Sequence, residues 1–443
     1  MKILFYNSNT HKIDNENFSI YLYPSCKNNF DKLVEKYPEH EFIVVTQEPG
    51  MFLVDLVDGE PLELSEKVSY YFLEENTSPL DFANFIINIK PDYAISTSYW
   101  IAPYDWLSLN DGIIAEHLKQ HNINTISNNL KSQEICFDKW QTNQLFKNNN
   151  FLCPNAIFFN HSLFWAERSN KNVIHNPYKT SFLEKLKQLK YPVVIKNLYS
   201  FSSYSTDVAK TFSEALHFLS QKGGNEDKII EEYIDGEHLG VEVYCSKNKP
   251  YIFSPFLFSL NKYGITCPKQ SMKFGPININ KKDFYREINR LSSLLDFSAS
   301  YQIDLIFSNN RFYFIEINPR LSGLTNCYTS STNKSILELL IDICIYNKIP
   351  TIKNYNLYSV KIDLQSKQNL KQLEQNQDIK AICQIENKNA KQKRDKGFCE
   401  IITTYENLKN INPSFLENAK DLTKHLFIDK KTLPLLHSQN IFV

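Results

Sequence analysis

The sequence predicts an α/β protein that opens with alternating strands and helices and continues into strand-rich segments. Three observations support this fold class. Short apolar runs alternate with a helical pattern up to about residue 128, strand-forming runs dominate from Tyr191 onward, and short strands separated by polar stretches follow residue 350. Alternating β and α elements are typical of a parallel sheet covered by helices.

The first segment, 1–128, is predicted to be an N-terminal α/β domain. Its strands are the apolar runs KILFYN, EFIVVTQ and PDYAISTSY. NDGIIAEHLKQHNI follows with apolar residues at helical spacing, and Asn110 or Asp111 is the predicted N-cap.

The middle segment, 129–350, is predicted to contain both helices and strands. KSQEICFDKWQTNQLFKNNN reads as one helix, and a second lies within YKTSFLEKLKQLK. YPVVIKN, DKIIEEYI, GVEVYCS and PYIFSPFLFSL are predicted strands because β-branched and aromatic residues dominate them. KKDFYREINRLSSLLDF is an amphipathic helix, YQIDLIF with RFYFIEI a hairpin, and SILELLIDICIY a buried helix. Segment 351–443 is predicted to be a small β-rich domain.

Composition narrows the function classes. The 443 residues balance 49 Lys and Arg against 49 Asp and Glu, so no net field favours nucleic acid or an anionic membrane. The nine cysteines never form C-x-x-C, which indicates reduced, buried thiols. MKILFYNSN reads as an opening strand and not as a signal peptide. A cytoplasmic protein with no nucleic-acid or membrane partner is expected.

The hairpin carries an unusual polar end. Glu316, Asn318 and Arg320 alternate in RFYFIEINPR, so Glu316 and Asn318 share a strand face. A three-residue turn over 308–310 is predicted to bring Asp304 onto that face, whereas a two-residue turn would place it on the other. Two carboxylates and an amide form an all-oxygen site suited to Mg²⁺, with nucleotide phosphates completing the shell. A salt bridge between Glu316 and Arg320 is the alternative.

Upstream residues suit a nucleotide. YPVVIKN presents Lys196 at a strand end, directly before the small-residue loop LYSFSSYST, and this combination can grip phosphates. Backbone groups along EEYI can hydrogen-bond an adenine edge, with Glu237 or His238 near the ribose.

The series FDKW, YPVVIKN, IIEEYIDGEH, QIDLIF and FIEINPRLSG resembles the ATP-grasp superfamily in order and approximate spacing. The resemblance spans Asp138 to Gly323 and implies the ATP-grasp fold, in which two α+β subdomains grip ATP. The preceding NDGIIAEHLKQHNINTISNN is similar to the end of the N-terminal domain in D-alanine–D-alanine-ligase-like and biotin-carboxylase-like members.

The resemblance implies specific roles for the matching residues. The phosphates would be bound by Lys139 and Lys196, under a loop containing Ser202 and Ser203. Adenine would be read by Glu231 and by the strand through Glu232, Tyr233 and Ile234, and the ribose by Glu237 or His238. Arg320 and Lys196 would be catalytic, Arg320 by stabilising developing charge. The metal would be Mg²⁺, with Mn²⁺ as a substitute, held by Asp304, Glu316 and Asn318.

Two features depart from the family pattern. His238 follows Glu237 where relatives commonly use a glutamate, and the phosphate loop lacks glycine between Asn197 and Lys210. These departures keep a non-catalytic nucleotide-binding protein open as an alternative.

The implied activity is ATP-dependent ligation of a small-molecule carboxylate to an amine through an acylphosphate, releasing ADP and phosphate. A carboxylase or carbamoyl-phosphate type of enzyme is another alternative. Many members are dimers, so a homodimer is compatible with the resemblance. The loop Asn261–Pro276 is a predicted lid, with Gly264 and Gly275 as hinges and with Lys262, Lys269 and Lys273 as candidate anion ligands or solvated charges.

Overall fold

The computed structural model describes residues 1–12, 15–99, 106–200, 206–220, 225–246, 249–258, 272–277, 279, 282–354, 357–363, 374–390 and 396–404. Four residues with predicted binding roles lie outside this part of the chain. They are Ser202 and Ser203 of the phosphate loop and Lys262 and Lys269 of the lid; the hinge Gly264 also lies outside it.

The N-terminal segment contains the parallel sheet that its βα alternation predicts. Five strands lie in the order β6-β3-β1-β7-β8, and each neighbouring pair is parallel. The elements of this segment are β1 (Lys2–Asn7), a 3-10 turn (Asn15–Asn17), β2 (Phe18–Tyr23), α1 (Cys26–Lys36), β3 (Glu41–Gln47), β4 (Leu56–Val57), β5 (Glu60–Pro61), β6 (Ser69–Leu73), α2 (Pro79–Ile89), β7 (Tyr93–Ser96), α3 (Leu107–Gln120) and β8 (Asn124–Ile126).

Helix α3 begins before its predicted N-cap. It starts at Leu107, so Asn110 and Asp111 lie inside it and are buried. The Asp111 carboxylate accepts hydrogen bonds from the hydroxyls of Ser8 (3.0 Å) and Ser98 (3.1 Å). The N-cap prediction is wrong because this carboxylate ties the helix to two loops at the ends of β1 and β7.

A second sheet, antiparallel and four-stranded, follows in the order β11-β10-β12-β9. The predicted long helix is two helices, because Asp138 ends the first and caps the second. The elements are α4 (Leu130–Phe137), α5 (Lys139–Asn148), β9 (Ala156–Phe159), α6 (His161–Phe164), α7 (Ala166–Ser169), α8 (Pro177–Gln188), β10 (Val193–Asn197), β11 (Thr206–Ala209), α9 (Phe212–Ser220) and β12 (Lys228–Glu232).

The third sheet has twelve strands, which come from the N-terminal, middle and C-terminal segments of the chain. Its order is β18-β17-β13-β15-β16-β19-β21-β20-β2-β4-β5, and β14 pairs with β13. The remaining elements are β13 (Glu237–Ser246), β14 (Lys249–Ile252), β15 (Phe256–Phe258), β16 (Met272–Gly275), α10 (Lys282–Leu295), β17 (Ser300–Ser308), β18 (Arg311–Asn318), α11 (Thr325–Thr332), α12 (Ile336–Leu339), a π-helical turn (Leu340–Ile345), β19 (Leu357–Asp363), β20 (Ile379–Asn387) and β21 (Gly397–Thr404).

The C-terminal strands join this sheet at two places. Strand β19 pairs with β16 of the middle segment, and β20 pairs with β2 near the N-terminus. The predicted domain limits at 128 and 350 stay a prediction, since strand pairing runs across both. Among the helices of the described ranges, none has the length and apolar character that a membrane crossing requires.

Candidate active site

The hairpin of β17 and β18 turns through two residues and not three. Ser308 lies opposite Arg311, and the turn residues Asn309 and Asn310 have φ values of +48° and +63°. Two-residue hairpin turns of this kind need left-handed backbone at both central positions, and asparagine tolerates it better than most residues. The predicted three-residue turn is therefore wrong.

A β-bulge nevertheless brings the acidic residues together. Leu305 lies opposite Phe314, but Asp304 lies opposite Glu316, so Ile315 is an extra residue on β18. An extra residue reverses the facing of everything beyond it. Phe314 consequently packs into the core, whereas Asp304 and Glu316 share a face, followed by the pair of Gln302 and Asn318.

This face concentrates negative charge. The Gln302 amide donates to Asp304 Oδ1 at 2.5 Å. Burial and the adjacent Glu316 raise the pKa of Asp304 to about 7, despite the opposing influence of Lys196 and Arg320. Two neighbouring carboxylates with this electrostatic cost are suited to a cation that neutralises them.

Lys139 approaches this face from helix α5. Asp138 caps the helix by accepting from the amides of Trp140 (2.8 Å) and Gln141 (3.1 Å), which fixes the first turn. The Lys139 Nζ then lies 3.7 Å from Glu316 Oε1, and its side chain is 12% exposed. The capped helix therefore directs an ammonium group at the acidic face.

Lys196 faces the same region from the second sheet. Because Val194 lies opposite Glu231 in β12, Lys196 and Glu231 are diagonal neighbours on one face, and their Nζ and Oε2 atoms are 2.6 Å apart. Burial opposes the charge of Lys196, but Glu231, Glu316 and Asp304 outweigh it and raise its pKa. Lys196 therefore stays protonated and links the two sheets electrostatically.

At the predicted adenine edge, two of the three backbone amides are hydrogen-bonded within the protein. The N–H groups of Glu232 and Tyr233 donate to the carbonyl oxygens of Asn155 (2.9 Å) and Pro192 (3.0 Å). The Glu232 carboxylate accepts from the Lys190 amide at 2.8 Å, so it supports the strand. Within the described ranges the Ile234 amide makes no such backbone bond, which makes it the best placed of the three to bind a ligand.

His238 contains an orphaned polar atom. Its Nε2 is buried and has no hydrogen-bond partner among the described residues. Burial and the nearby Lys196 lower the pKa of His238 to about 3, so the imidazole is neutral and can donate or accept. Its ring packs on Phe258 at 5.1 Å, and a Cβ on Gly240 would lie 2.4 Å from that ring, so only glycine permits the contact.

The surroundings of Glu237, the other predicted ribose ligand, differ from those of His238. It lies opposite Phe307 in β17. Burial and Asp235 raise its pKa to about 7.

Arg320 sits just beyond the end of β18 and is 8% exposed. Its NH2 donates to Asn318 Oδ1 at 3.2 Å and its NH1 to the Leu321 carbonyl at 3.1 Å. These contacts hold the guanidinium beside the amide that is predicted to bind the metal.

The predicted metal-binding residues fit Mg²⁺ only if a bound ligand supplies further coordinating oxygens. In the described part of the chain, no cluster of three His, Cys, Asp or Glu side chains is placed to hold a metal ion. Asp304 and Glu316 would supply two carboxylates and Asn318 an amide oxygen, so phosphate oxygens would have to complete the shell.

Three polar residues near the site were missed by the sequence reasoning. Gln302 precedes Asp304 by two positions on the same face, so strand alternation alone could have found it. Glu242 is fully buried and accepts from the hydroxyls of Ser322 (2.5 Å) and Thr325 (2.6 Å). The sequence feature that could have identified Glu242 is an acidic residue within the apolar run GVEVY.

Lys273 differs from its prediction. Instead of being a solvated or anion-binding lid residue, it is buried in β16 and forms an ion pair with Glu400 of β21, with Nζ and Oε1 2.7 Å apart. Glu400 is the third missed residue. Glu400 lies 127 positions beyond Lys273 in the chain, and sequence spacing gave no sign of their contact.

Comparison with known proteins identifies the class. A family model of the ATP-grasp domain matches residues 136–324. Residues 136–324 therefore match an ATP-grasp domain, as the motifs in this part of the sequence predicted.

The matching relatives include two named ligases and several carbamoyl phosphate synthase large chains. Tyramine–L-glutamate ligase of Methanocaldococcus jannaschii is 35% identical over 121 residues, 26% of this chain and 36% of that protein. D-alanine–D-alanine ligase of Petrotoga mobilis is 28% identical over 200 residues, 41% of this chain and 65% of that protein. The chain thus spans less than two thirds of the length of these curated relatives.

The fold is also seen in solved structures. The L-amino acid ligase of Bacillus licheniformis superposes with a TM-score of 0.59 at 13% identity, over 95% of this chain and 97% of that one. At this identity the likeness shows the fold alone, and it extends the agreement from the ATP-grasp domain to nearly the whole chain.

Proposed function

We propose that the protein is an ATP-dependent ligase that joins a small carboxylic acid to an amine and releases ADP and phosphate. The observation that carries the proposal is the meeting of Lys139 and Lys196 with the carboxylates of Asp304 and Glu316. Phosphoryl transfer depends on positioning and charge neutralisation more than on a protein nucleophile. This set of groups supplies both.

Each part of ATP has a candidate partner. Lys139 and Lys196 would bind the phosphates, and Glu231 together with the Ile234 amide would bind the adenine edge. The orphaned His238 Nε2 would bond a ribose hydroxyl. Mg²⁺, held by Asp304, Glu316 and Asn318, would supply neutralisation of phosphate charge when bound.

The chemistry has two balanced steps. An oxygen of the substrate carboxylate attacks the γ-phosphorus while the bond from that phosphorus to the β,γ-bridging oxygen breaks, which gives an acylphosphate and ADP. The amine nitrogen then attacks the acyl carbon, a C–N bond forms, the C–O bond to phosphate breaks, and the amine loses a proton. Arg320, beside Asn318, would stabilise the negative charge that develops on the acyl oxygen.

The names of two sequence relatives, tyramine–L-glutamate ligase and D-alanine–D-alanine ligase, support the reaction type. The proposed active form is the chain with ATP, a divalent metal and two small-molecule substrates.

The test compares Lys196→Met and Glu316→Gln with Lys185→Met, a control on the exposed face of α8. We expect Lys196→Met to weaken ATP binding about 10- to 100-fold, the range of a charge-assisted contact to phosphate. Glu316→Gln should raise the Mg²⁺ concentration needed for half-maximal ADP release, and Lys185→Met should change neither. If both site variants bind and turn over ATP like the parent, the active site lies elsewhere.

A further inference from the structure

A cavity of about 210 Å³ lies where three parts of the chain meet. One wall is the start of helix α1 with Phe30, the second is helix α11, and the third is the C-terminal sheet with Lys361 and Phe398. The volume suits a molecule of amino-acid size, because each enclosed water needs only about 10–15 Å³ by this measure.

The cavity adjoins the candidate active site. Ser322 and Gly323, which follow Arg320 by two and three positions, form part of its wall. The Gly323 carbonyl accepts a hydrogen bond from the buried Lys273, which fixes this turn against strand β16. A ligand in the cavity would therefore lie next to the turn that carries Arg320.

The C-terminal wall presents positive charge. Glu400 is 4% exposed, forms the ion pair with Lys273 and accepts from the Ser359 hydroxyl. Lys361 adds a second ammonium group to this cluster, and its Nζ lies 4.1 Å from the centroid of the Phe398 ring. The wall itself is lined by Lys361 and Lys380 together with Glu400, and this excess of lysines favours the approach of an anion.

The α11 wall presents hydrogen-bonding groups. Asn326, Thr329, Ser330 and Asn333 follow the spacing of one helix face and all line the cavity. Ser330 is 7% exposed, and its hydroxyl has no hydrogen-bond partner within the described residues. A buried unpaired hydroxyl is costly, and a polar ligand would satisfy it.

The remaining lining is aromatic. Phe30, Phe52 and Tyr99 line the cavity, and the rings of Phe52 and Tyr99 are 4.5 Å apart. Such a surface suits an apolar or aromatic group.

We propose that this cavity binds the amine substrate, an α-amino acid with an apolar or aromatic side chain. Its carboxylate lies at Lys361, its amino group faces the polar side of α11 beside Gly323, and its side chain packs on the aromatic wall. The assignment rests on the proposed ligase function, because that function requires an amine near Arg320.

Calorimetric titration tests the assignment with L-phenylalanine and L-leucine as probes, in the presence of Mg²⁺ and a non-hydrolysable ATP analogue. We expect Lys361→Met to weaken binding about 10- to 100-fold, as loss of a charge-assisted hydrogen bond does, and Lys361→Arg to weaken it less. L-phenylalaninamide, which lacks the carboxylate, should bind the parent weakly and be insensitive to Lys361→Met. Ser330→Ala should weaken binding about 3- to 10-fold without lowering the midpoint of thermal unfolding, and Lys185→Met should match the parent.

The outcomes separate the two proposals. Equal binding of both amino acids to the parent and to Lys361→Met, or no binding while the ATP analogue binds, overturns the cavity assignment and leaves the ligase proposal standing. Lys361-dependent binding of the amino acids by a protein that does not bind the ATP analogue supports the cavity as a site and overturns the ligase function. If Lys361→Met does not fold, full retention of binding by Ser330→Ala overturns the assignment.

Discussion

Replacement of Lys273 by methionine probes the buried ion pair that joins the C-terminal strands to the ATP-grasp sheet. The side chains of Lys273 and Glu400 are 7% and 4% exposed, and their charged atoms are 2.7 Å apart. Burial opposes both charges, yet Glu400 raises the pKa of Lys273, and Lys273 and Lys361 lower that of Glu400. Each partner thus depends on the other to stay ionised.

The expected loss of unfolding free energy depends on which buried charges each substitution leaves without a partner. Removing one partner of a buried pair costs about 3–5 kcal/mol. After Lys273→Met, Glu400 keeps Lys361 and the Ser359 hydroxyl, so we expect a cost near 3 kcal/mol. After Glu400→Gln, two lysines stay buried beside a neutral amide, so we expect a cost nearer 5 kcal/mol.

Urea unfolding measures these differences through the fluorescence of the four tryptophans and through circular dichroism. The double variant Lys273→Met/Glu400→Gln should cost about 1–3 kcal/mol less than the sum of the single effects, because it leaves only Lys361 buried beside the neutral amide, whereas Glu400→Gln alone leaves two lysines there. Lys185→Met serves as the exposed control. Costs below about 1 kcal/mol for both single variants, or a larger cost for Lys273→Met than for Glu400→Gln, would refute this account of the pair.

Three further predictions concern separate sites. Burial alone would raise the pKa of Asp342, but contacts with Lys334, Tyr37 and Lys36 outweigh burial, and the pKa in the folded protein is lowered. The ionised carboxylate therefore stabilises the fold at pH values above the unfolded pKa of about 3.9. This stabilisation is lost as the pH falls toward the folded pKa. The difference in unfolding free energy between the parent and Asp342→Asn should shrink between about pH 4.5 and pH 3, and a difference that stays constant would contradict the assignment. His238→Leu should lower nucleotide affinity several-fold in a fluorescence titration while leaving the unfolding midpoint unchanged, whereas a large loss of stability would mean that the ring is structural. Asn310→Ala should cost about 1 kcal/mol in urea unfolding because φ is +63°, Asn310→Gly should cost less, and the reverse order would exclude the left-handed turn.

Local sequence patterns predicted most of the helices and strands, whereas the roles of the site residues stay a prediction. Apolar runs such as EFIVVTQ form the predicted strands because β-branched residues suit a buried sheet. The five ATP-grasp motifs carried the family assignment, which the family model confirms.

Features set by distant contacts were harder to predict. The bulge at Ile315 compensates for the shorter turn at Asn309 and Asn310, and strand alternation alone shows neither. Asp111 lies inside α3 because serines from other loops bind its carboxylate. Lys273 was predicted as a lid residue because its partner Glu400 lies 127 positions away, on a strand that neighbours β16 only through β19.

The proposed ligase activity is tested most directly by incubating the protein with Mg²⁺-ATP, a pool of small carboxylic acids and a pool of amino acids. ADP and phosphate are quantified, and condensed products are sought by mass spectrometry. We expect substrate-dependent release of ADP and phosphate in equal amounts, a new amide mass, and a higher Mg²⁺ requirement for this turnover in Glu316→Gln. Release of AMP and pyrophosphate, or ATP turnover that is unaffected by Glu316→Gln, would contradict the proposed activity.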